Sequence, residues 1–108
     1  MPEFSEISLQ RLSSCDIRLQ KICFDAIKIY DFTVIEGYRA RELQDLAVKN
    51  GKSKLGWPHS KHNSSPSLAI DIAPYPIDWA DKNRFYLLAG IMFGIADAKG
   101  IKLRWGGS

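Results

Sequence analysis

A histidine and an aspartate carry the first chemical signal in this sequence. In the stretch Ser60-Lys61-His62-Asn63-Ser64-Ser65-Pro66-Ser67-Leu68-Ala69-Ile70-Asp71-Ile72, His62 stands among polar residues and Asp71 interrupts an apolar run. A carboxylate buried between Ile70 and Ile72 without a partner costs several kcal/mol or takes up a proton, so the position asks for a cation, a metal or a set of donors. Zinc accepts both imidazole nitrogen and carboxylate oxygen, and such an ion would meet the need. Plainer arrangements compete: Asp71 facing solvent on an edge strand or pairing with Arg39, and His62 as an ordinary loop histidine.

Other chemistry-bearing residues are weaker candidates. His59 precedes His62 by three positions and reaches the same side only if that piece is helical, whereas Pro58 and the Ser/Asn-rich surroundings favour a solvent-exposed loop. Glu36 and Glu42 are near Arg39 and are therefore candidate bases. Glu36 reads as a surface residue at a strand end, and Glu42 as a first-turn acid favoured by the helix dipole. Trp57, Trp79 and Trp105 could line a groove, with core packing the default for the last two.

The elements that must position these groups follow from periodicity. Ile17, Leu19, Ile22, Cys23, Ala26, Ile27 and Tyr30 recur at helical spacing within Ser14 to Tyr30, and Ser13 followed by Asp16 resembles a capping-box start. Phe32 to Ile35 reads as a strand ended by Glu36-Gly37, and Arg39 to Lys49 as a helix closed by Asn50-Gly51. Gly51 to Pro66 should be an exposed loop, long enough to suggest binding or catalysis. Leu68 to Ala73 reads as a buried strand, Trp79 to Lys99 as a long buried helix stopped by Gly100, and Ile101 to Trp105 as a one-sided strand. That order predicts an α+β fold with a small sheet, in one domain spanning residues 1–108.

Composition narrows the setting without choosing a partner. The chain of 108 residues is 45% hydrophobic and 25% charged, with a net charge of +3 and a pI near 9.0. Those values suit an anionic surface such as cell-wall polymer, nucleic acid or phospholipid. The basic residues are scattered and no nucleic-acid-binding motif occurs, so nucleic acid is not expected as a partner. Phe85 to Ala96 is too short to span a bilayer. Met1 to Gln10 lacks the basic and apolar regions of a signal peptide, which implies synthesis in the cytoplasm. Cys15 and Cys23, placed on one helix about 12 Å apart at 1.5 Å rise per residue, cannot pair with each other and read as small apolar side chains in a reducing compartment.

Ser-x-His followed by Ala-x-Asp on a strand resembles the first half of the zinc site of M15 peptidases, the family of D-Ala-D-Ala carboxypeptidases and phage L-alanyl-D-glutamate endolysins. Gly37-Tyr38-Arg39 after a strand, Gln44 in the next helix and Leu103-Arg104-Trp105-Gly106-Gly107 agree with it. Ser60-Lys61-His62-Asn63 and Ala73-Pro74-Tyr75-Pro76-Ile77-Asp78-Trp79 look most like the phage and prophage branch. The resemblance covers about Phe32 to Gly107 and implies a small, mainly antiparallel sheet packed with helices, like the Hedgehog and D-Ala-D-Ala-peptidase fold.

It implies zinc as cofactor, with His62 and Asp71 as metal ligands and Arg39 as the catalytic arginine that steadies the substrate carbonyl. Ser60 and Gln44 take positions of substrate contact, Gln44 also being suited to anchoring its helix or loop. The implied activity is hydrolysis of an amide bond beside a D-amino acid in peptidoglycan stem peptides, exerted at the bacterial cell wall; the alternative is an inactive remnant or a wall-binding module on the same fold. His62 and Asp71 are two residues further apart than in the commonest family spacing, and Pro66-Ser67 replaces the usual glycine. The acid-x-x-His motif that supplies a general base and third ligand in the family does not follow Trp105-Gly106-Gly107 before Ser108. Its absence leads to expectations of weak zinc binding and of self-association through an exposed sheet edge.

Overall fold

Ser5 opens the first helix, its hydroxyl accepting the Ser8 N–H, and α1 runs over Glu6–Ser13. The computed structural model describes residues 2–104. After α1 come α2 (Ile17–Ile27), β1 (Phe32–Glu36), α3 (Arg41–Lys49), a single 3-10 turn (Lys61–Asn63), β2 (Asp71–Pro74) and α4 (Lys82–Ala98). Among the described residues the result is α+β: four helices around a two-stranded antiparallel sheet.

The core lies where α2 and α4 cover the sheet. Ile22, Cys23, Ala26 and Ile27 from α2 meet Phe32 and Val34 from β1, Leu88, Met92 and Ala96 from α4, and Leu12 from α1. Each large aliphatic or aromatic side chain fully removed from water contributes about 1.5–3 kcal/mol. Lys99 ties the end of α4 to α2 through a 2.7 Å ion pair with Asp25.

Strand β1 has its second edge closed by side chains rather than by another strand. The Val34 N–H donates to Ser8 Oγ at 3.1 Å, and Arg11 donates to the Val34 carbonyl at 3.0 Å. Across the other edge, Phe32 faces Pro74, Thr33 faces Ala73 and Val34 faces Ile72, but Glu36 instead of Ile35 faces Asp71. The extra residue is a β-bulge, which rotates the following side chain onto a new face.

Several expectations change. Helix α1 was not anticipated, because it buries only Ser8 and Leu12 and so shows little apolar periodicity. Helix α2 starts at Ile17, capped by Asp16 rather than Ser13. Cys15 therefore lies outside the helix, bridged to Ser67. Both thiols are free, and burial pushes Cys15 up to about 11 and Cys23 up to about 12, as befits unreactive packing groups.

The loop after α3 is not simply exposed: Ser53, Ser60, His62, Asn63 and Ser67 are buried. Strand β2 begins only at Asp71, whose side chain is about half exposed rather than buried. Helix α4 is buried on one face only, with Tyr86 and Leu87 exposed, and Trp79 is 65% exposed instead of packed in the core. Ile101 to Arg104 are not in a strand; Ile101 and Leu103 pack on the core, but no strand pairs with them among the described residues, and Trp105 lies outside those residues. No helix among the described residues is long and apolar enough to cross a membrane.

Two measurements follow from this architecture. Ser8→Ala strands the buried Val34 N–H, an expected loss of about 1–3 kcal/mol, read as a lowered urea midpoint with unchanged slope. No further strand pairs with β2 among the described residues, so we propose that the chain self-associates through that edge. Sedimentation velocity should show a dimer or larger species growing with concentration; a monodisperse monomer at high concentration would refute it.

Candidate functional site

Two segments far apart in sequence are locked together to make the site. Ser60 starts the 3-10 turn as its cap: its hydroxyl accepts the His62 N–H at 3.2 Å, while Asn63 Oδ1 accepts the Ser60 N–H at 3.1 Å. The turn is docked on the β1–α3 connection by the Arg39 N–H, which donates to the His62 carbonyl at 2.7 Å, and by Asn63 Nδ2, which donates to the Arg39 carbonyl at 2.9 Å. Gln44 is the hub beneath. Its Oε1 accepts from Arg39 and Asn63, and its Nε2 donates to Ser53 Oγ and the Leu55 carbonyl. Ser60 and Gln44 are thus both buried with their polar atoms engaged by the protein.

His62 is 2% exposed, and its Nδ1 lies 2.8 Å from the Gly37 carbonyl. A carbonyl only accepts, so Nδ1 carries the proton and the neutral ring presents its lone pair at Nε2. Nε2 sits 3.5 Å from Asp71 Oδ2. Gly37 is required at this point because a Cβ would fall 2.5 Å from the Arg11 carbonyl oxygen and 2.8 Å from Cys15 Sγ. The α1–α2 junction therefore presses on the very residue whose carbonyl holds the histidine.

Arg39 is buried, with its guanidinium in the same cleft: Nε and Nη2 donate to Glu36 Oε1, Nη1 donates to Gln44, and Nη2 lies 3.7 Å from Asp71 Oδ2. Glu36, His62 and Asp71 each offer one ligand atom, all within 4.8 Å of one another. His62, Asp71 and Arg39 are therefore brought together. His59 is exposed and outside this group, as is Glu42 on the outer face of α3. Glu36, a candidate base by its place near Arg39 that otherwise read as a strand-end surface residue, is partly accessible and joins this group.

The electrostatics of His62 are a contest. Burial, the largest influence, lowers its pKa; the bond and negative charge of Asp71 and the Gly37 carbonyl raise it; Arg39 lowers it. The net result is above the ordinary 6.5.

A family model described as phage L-alanyl-D-glutamate peptidase matches residues 2–108. The L-alanyl-D-glutamate peptidase of Escherichia phage T5 is 37% identical over 109 residues, a match covering 96% of this chain and 79% of that protein. The crystal structure of the Serratia marcescens L-Ala D-Glu endopeptidase ChiX has the same fold, with a TM-score of 0.81 at 23% identity over 97% of this chain and 80% of the other.

The raised His62 value has a consequence for metal-free protein. A group whose folded value exceeds its unfolded one adds stability that is fully present below the unfolded value and disappears as pH rises through the folded value. Thermal midpoints of chelator-treated protein should therefore carry a His62-dependent gain below pH 6.5 that fades on the alkaline side. His62→Gln should remove that component of the profile; an identical profile in the variant would contradict the assignment.

Proposed function

The chain belongs to the phage L-alanyl-D-glutamate peptidase family, and from that premise we propose that it hydrolyses the amide bond between L-alanine and D-glutamate in the stem peptides of bacterial peptidoglycan, with zinc held by His62 and Asp71. The observation that carries the reading is the 3.5 Å approach of His62 Nε2 to Asp71 Oδ2, with Nδ1 already committed to Gly37. One zinc ion with bonds of about 2 Å spans such a pair. Bound zinc supplies Lewis acidity and lowers the pKa of water.

The chain's own residues do the remaining work. Arg39 brings a permanent cation to the cleft, and we assign to it the stabilisation of negative charge developing on the scissile carbonyl oxygen. Its anchoring by Gln44 and Glu36 fixes that charge before substrate arrives. Ser60, through its cap, and Gln44, through the hub, hold the histidine turn from beneath; both are buried and so act by positioning rather than by touching the stem peptide. Asp71 is about half exposed while His62 is enclosed, so substrate enters from the Asp71 side. The net charge of +3 favours residence on anionic wall polymer, where the enzyme acts.

Incubation of a stem peptide with the zinc-supplemented chain should release a fragment with a new D-glutamate amino terminus, identified by mass spectrometry. His62→Ala and Asp71→Ala should each lower the rate by more than about 100-fold, the upper end for groups that merely support a ligand. Cleavage only between D-alanines would overturn the bond assignment, and full activity in His62→Ala would overturn the site. Wall binding without cleavage would instead fit a binding module on this fold.

A further inference from the structure

We infer that Ser14, in the connection between α1 and α2, is a positioning residue for His62: its hydroxyl fixes the peptide plane whose carbonyl oxygen holds the Nδ1–H. The consequence for metal binding rests on the zinc reading above; the chain of hydrogen bonds does not. Two of those bonds grip opposite ends of a single peptide unit. The Gly37 carbonyl accepts from His62 Nδ1 at 2.8 Å, and the Tyr38 N–H of the same unit donates to Ser14 Oγ at 2.9 Å. A trans peptide is planar, with its C=O and N–H pointing in opposite directions. Turning the carbonyl away from the imidazole therefore breaks the bond to Ser14, and loss of that bond frees the plane to turn.

The hydroxyl is itself oriented. Ser14 Oγ donates its proton to the Arg11 carbonyl at 2.6 Å, which leaves a lone pair for the Tyr38 N–H. The donors thus run in one direction, from the imidazole to the Gly37–Tyr38 peptide, to the serine hydroxyl, to the last turn of α1. Hydrogen bonds aligned head to tail polarise one another, so donation by the Tyr38 N–H makes the Gly37 oxygen a stronger acceptor. A stronger acceptor for Nδ1–H holds the tautomer and raises the basicity of Nε2 as a ligand.

Backbone bonds keep Ser14 in this place. The Ser67 N–H donates to the Ser14 carbonyl at 2.8 Å, and the Asp16 N–H donates to the Ser67 carbonyl at 2.7 Å. Gly37 passes so close that a Cβ there would lie 2.5 Å from Ser14 Oγ. Ser13 supplies the contrast. Its hydroxyl also donates to a carbonyl three residues back, that of Gln10, at 2.6 Å, so both serines finish α1 in the same way. Among the described residues, only the Ser14 hydroxyl goes on to accept from the connection that carries Gly37 and Arg39.

The test is nuclear magnetic resonance of the imidazole nitrogens in the isotope-labelled, metal-free whole chain at alkaline pH, where the neutral ring reports its tautomer; His62→Ala assigns the signals. In the parent protein the ring should be almost wholly in the Nδ1–H form, and the Tyr38 amide should exchange slowly with solvent. Ser14→Ala should move the two nitrogen shifts towards each other and release the Tyr38 amide. It should also lower zinc affinity, measured by competition with a chromophoric chelator, by about tenfold, the lower end for loss of a group that orients a metal ligand. Ser14→Thr, which keeps the hydroxyl, should restore all three readouts, and Ser13→Ala should leave them unchanged, with circular dichroism checking the fold of each variant. Unshifted ring nitrogens in folded Ser14→Ala would overturn the inference, as would equal effects in Ser13→Ala, which would reduce Ser14 to a helix end. Should Ser14→Ala not fold, the parent decides: a Tyr38 amide exchanging at the rate of an open loop overturns the inference, and a protected one upholds it. Zinc that binds equally well to His62→Ala would defeat the metal assignment instead, with the metal-free spectra still deciding the role of Ser14.

Discussion

The hydrogen bond from His62 Nδ1 to the Gly37 carbonyl is the constraint on which the site depends. It decides which nitrogen is free, and it reaches across 25 residues of chain to do so. Both ends are set by packing. Gly37 lies where α1 meets α2, in a space that excludes any side chain, and the Ser14 hydroxyl accepts the next N–H, that of Tyr38, at 2.9 Å. The histidine end is fixed by the Ser60 cap and the Asn63–Gln44 bonds. A peripheral helix junction and a polar loop thereby become parts of one scaffold for the candidate site, which explains why so many short polar side chains are buried here.

That dependence also shows what the sequence made legible. Helices α2, α3 and α4 were readable from apolar spacing and from stop signals such as Gly51 and Gly100, both of which adopt positive φ. The pairing of His62 with Asp71 was readable too, because a histidine followed at short range by an aspartate in an apolar strand is chemically unusual. Burial was not readable. His62 sits in a run of polar residues that looks exposed, and it is enclosed because Ser60 caps its turn while Asn63 bonds Arg39 and Gln44 and Ser67 bonds Ser14 and Asp16. Asp71 looked enclosed between isoleucines and is half exposed, because β2 starts at that residue.

Glu36 illustrates the same limit from the other side. Read as a strand in simple alternation, Phe32 and Val34 point inward with Glu36, while Ile35 points away. The observed burial of Phe32 and Val34 agrees with that pattern, yet Glu36 is partly accessible and faces a cleft instead of the core. A bulge of one residue has no signature in local composition; it is a property of how two strands pair. Likewise, α1 closes β1 through Ser8 and Arg11, a function carried by two polar side chains that no apolar period reveals.

Charge explains why these groups tolerate one another. Two carboxylates against one guanidinium leave the cleft with a single formal negative charge when His62 is neutral. Burial works against a proton on His62, and the Asp71 bond and charge together with the Gly37 carbonyl outweigh it, so its pKa lies above the ordinary value. A divalent cation meets the same need more strongly, and it requires the lone pair that the proton occupies. On the zinc reading proposed above, proton and metal would compete for that lone pair. The fold thus encloses the histidine in the interior and keeps a carboxylate at the opening.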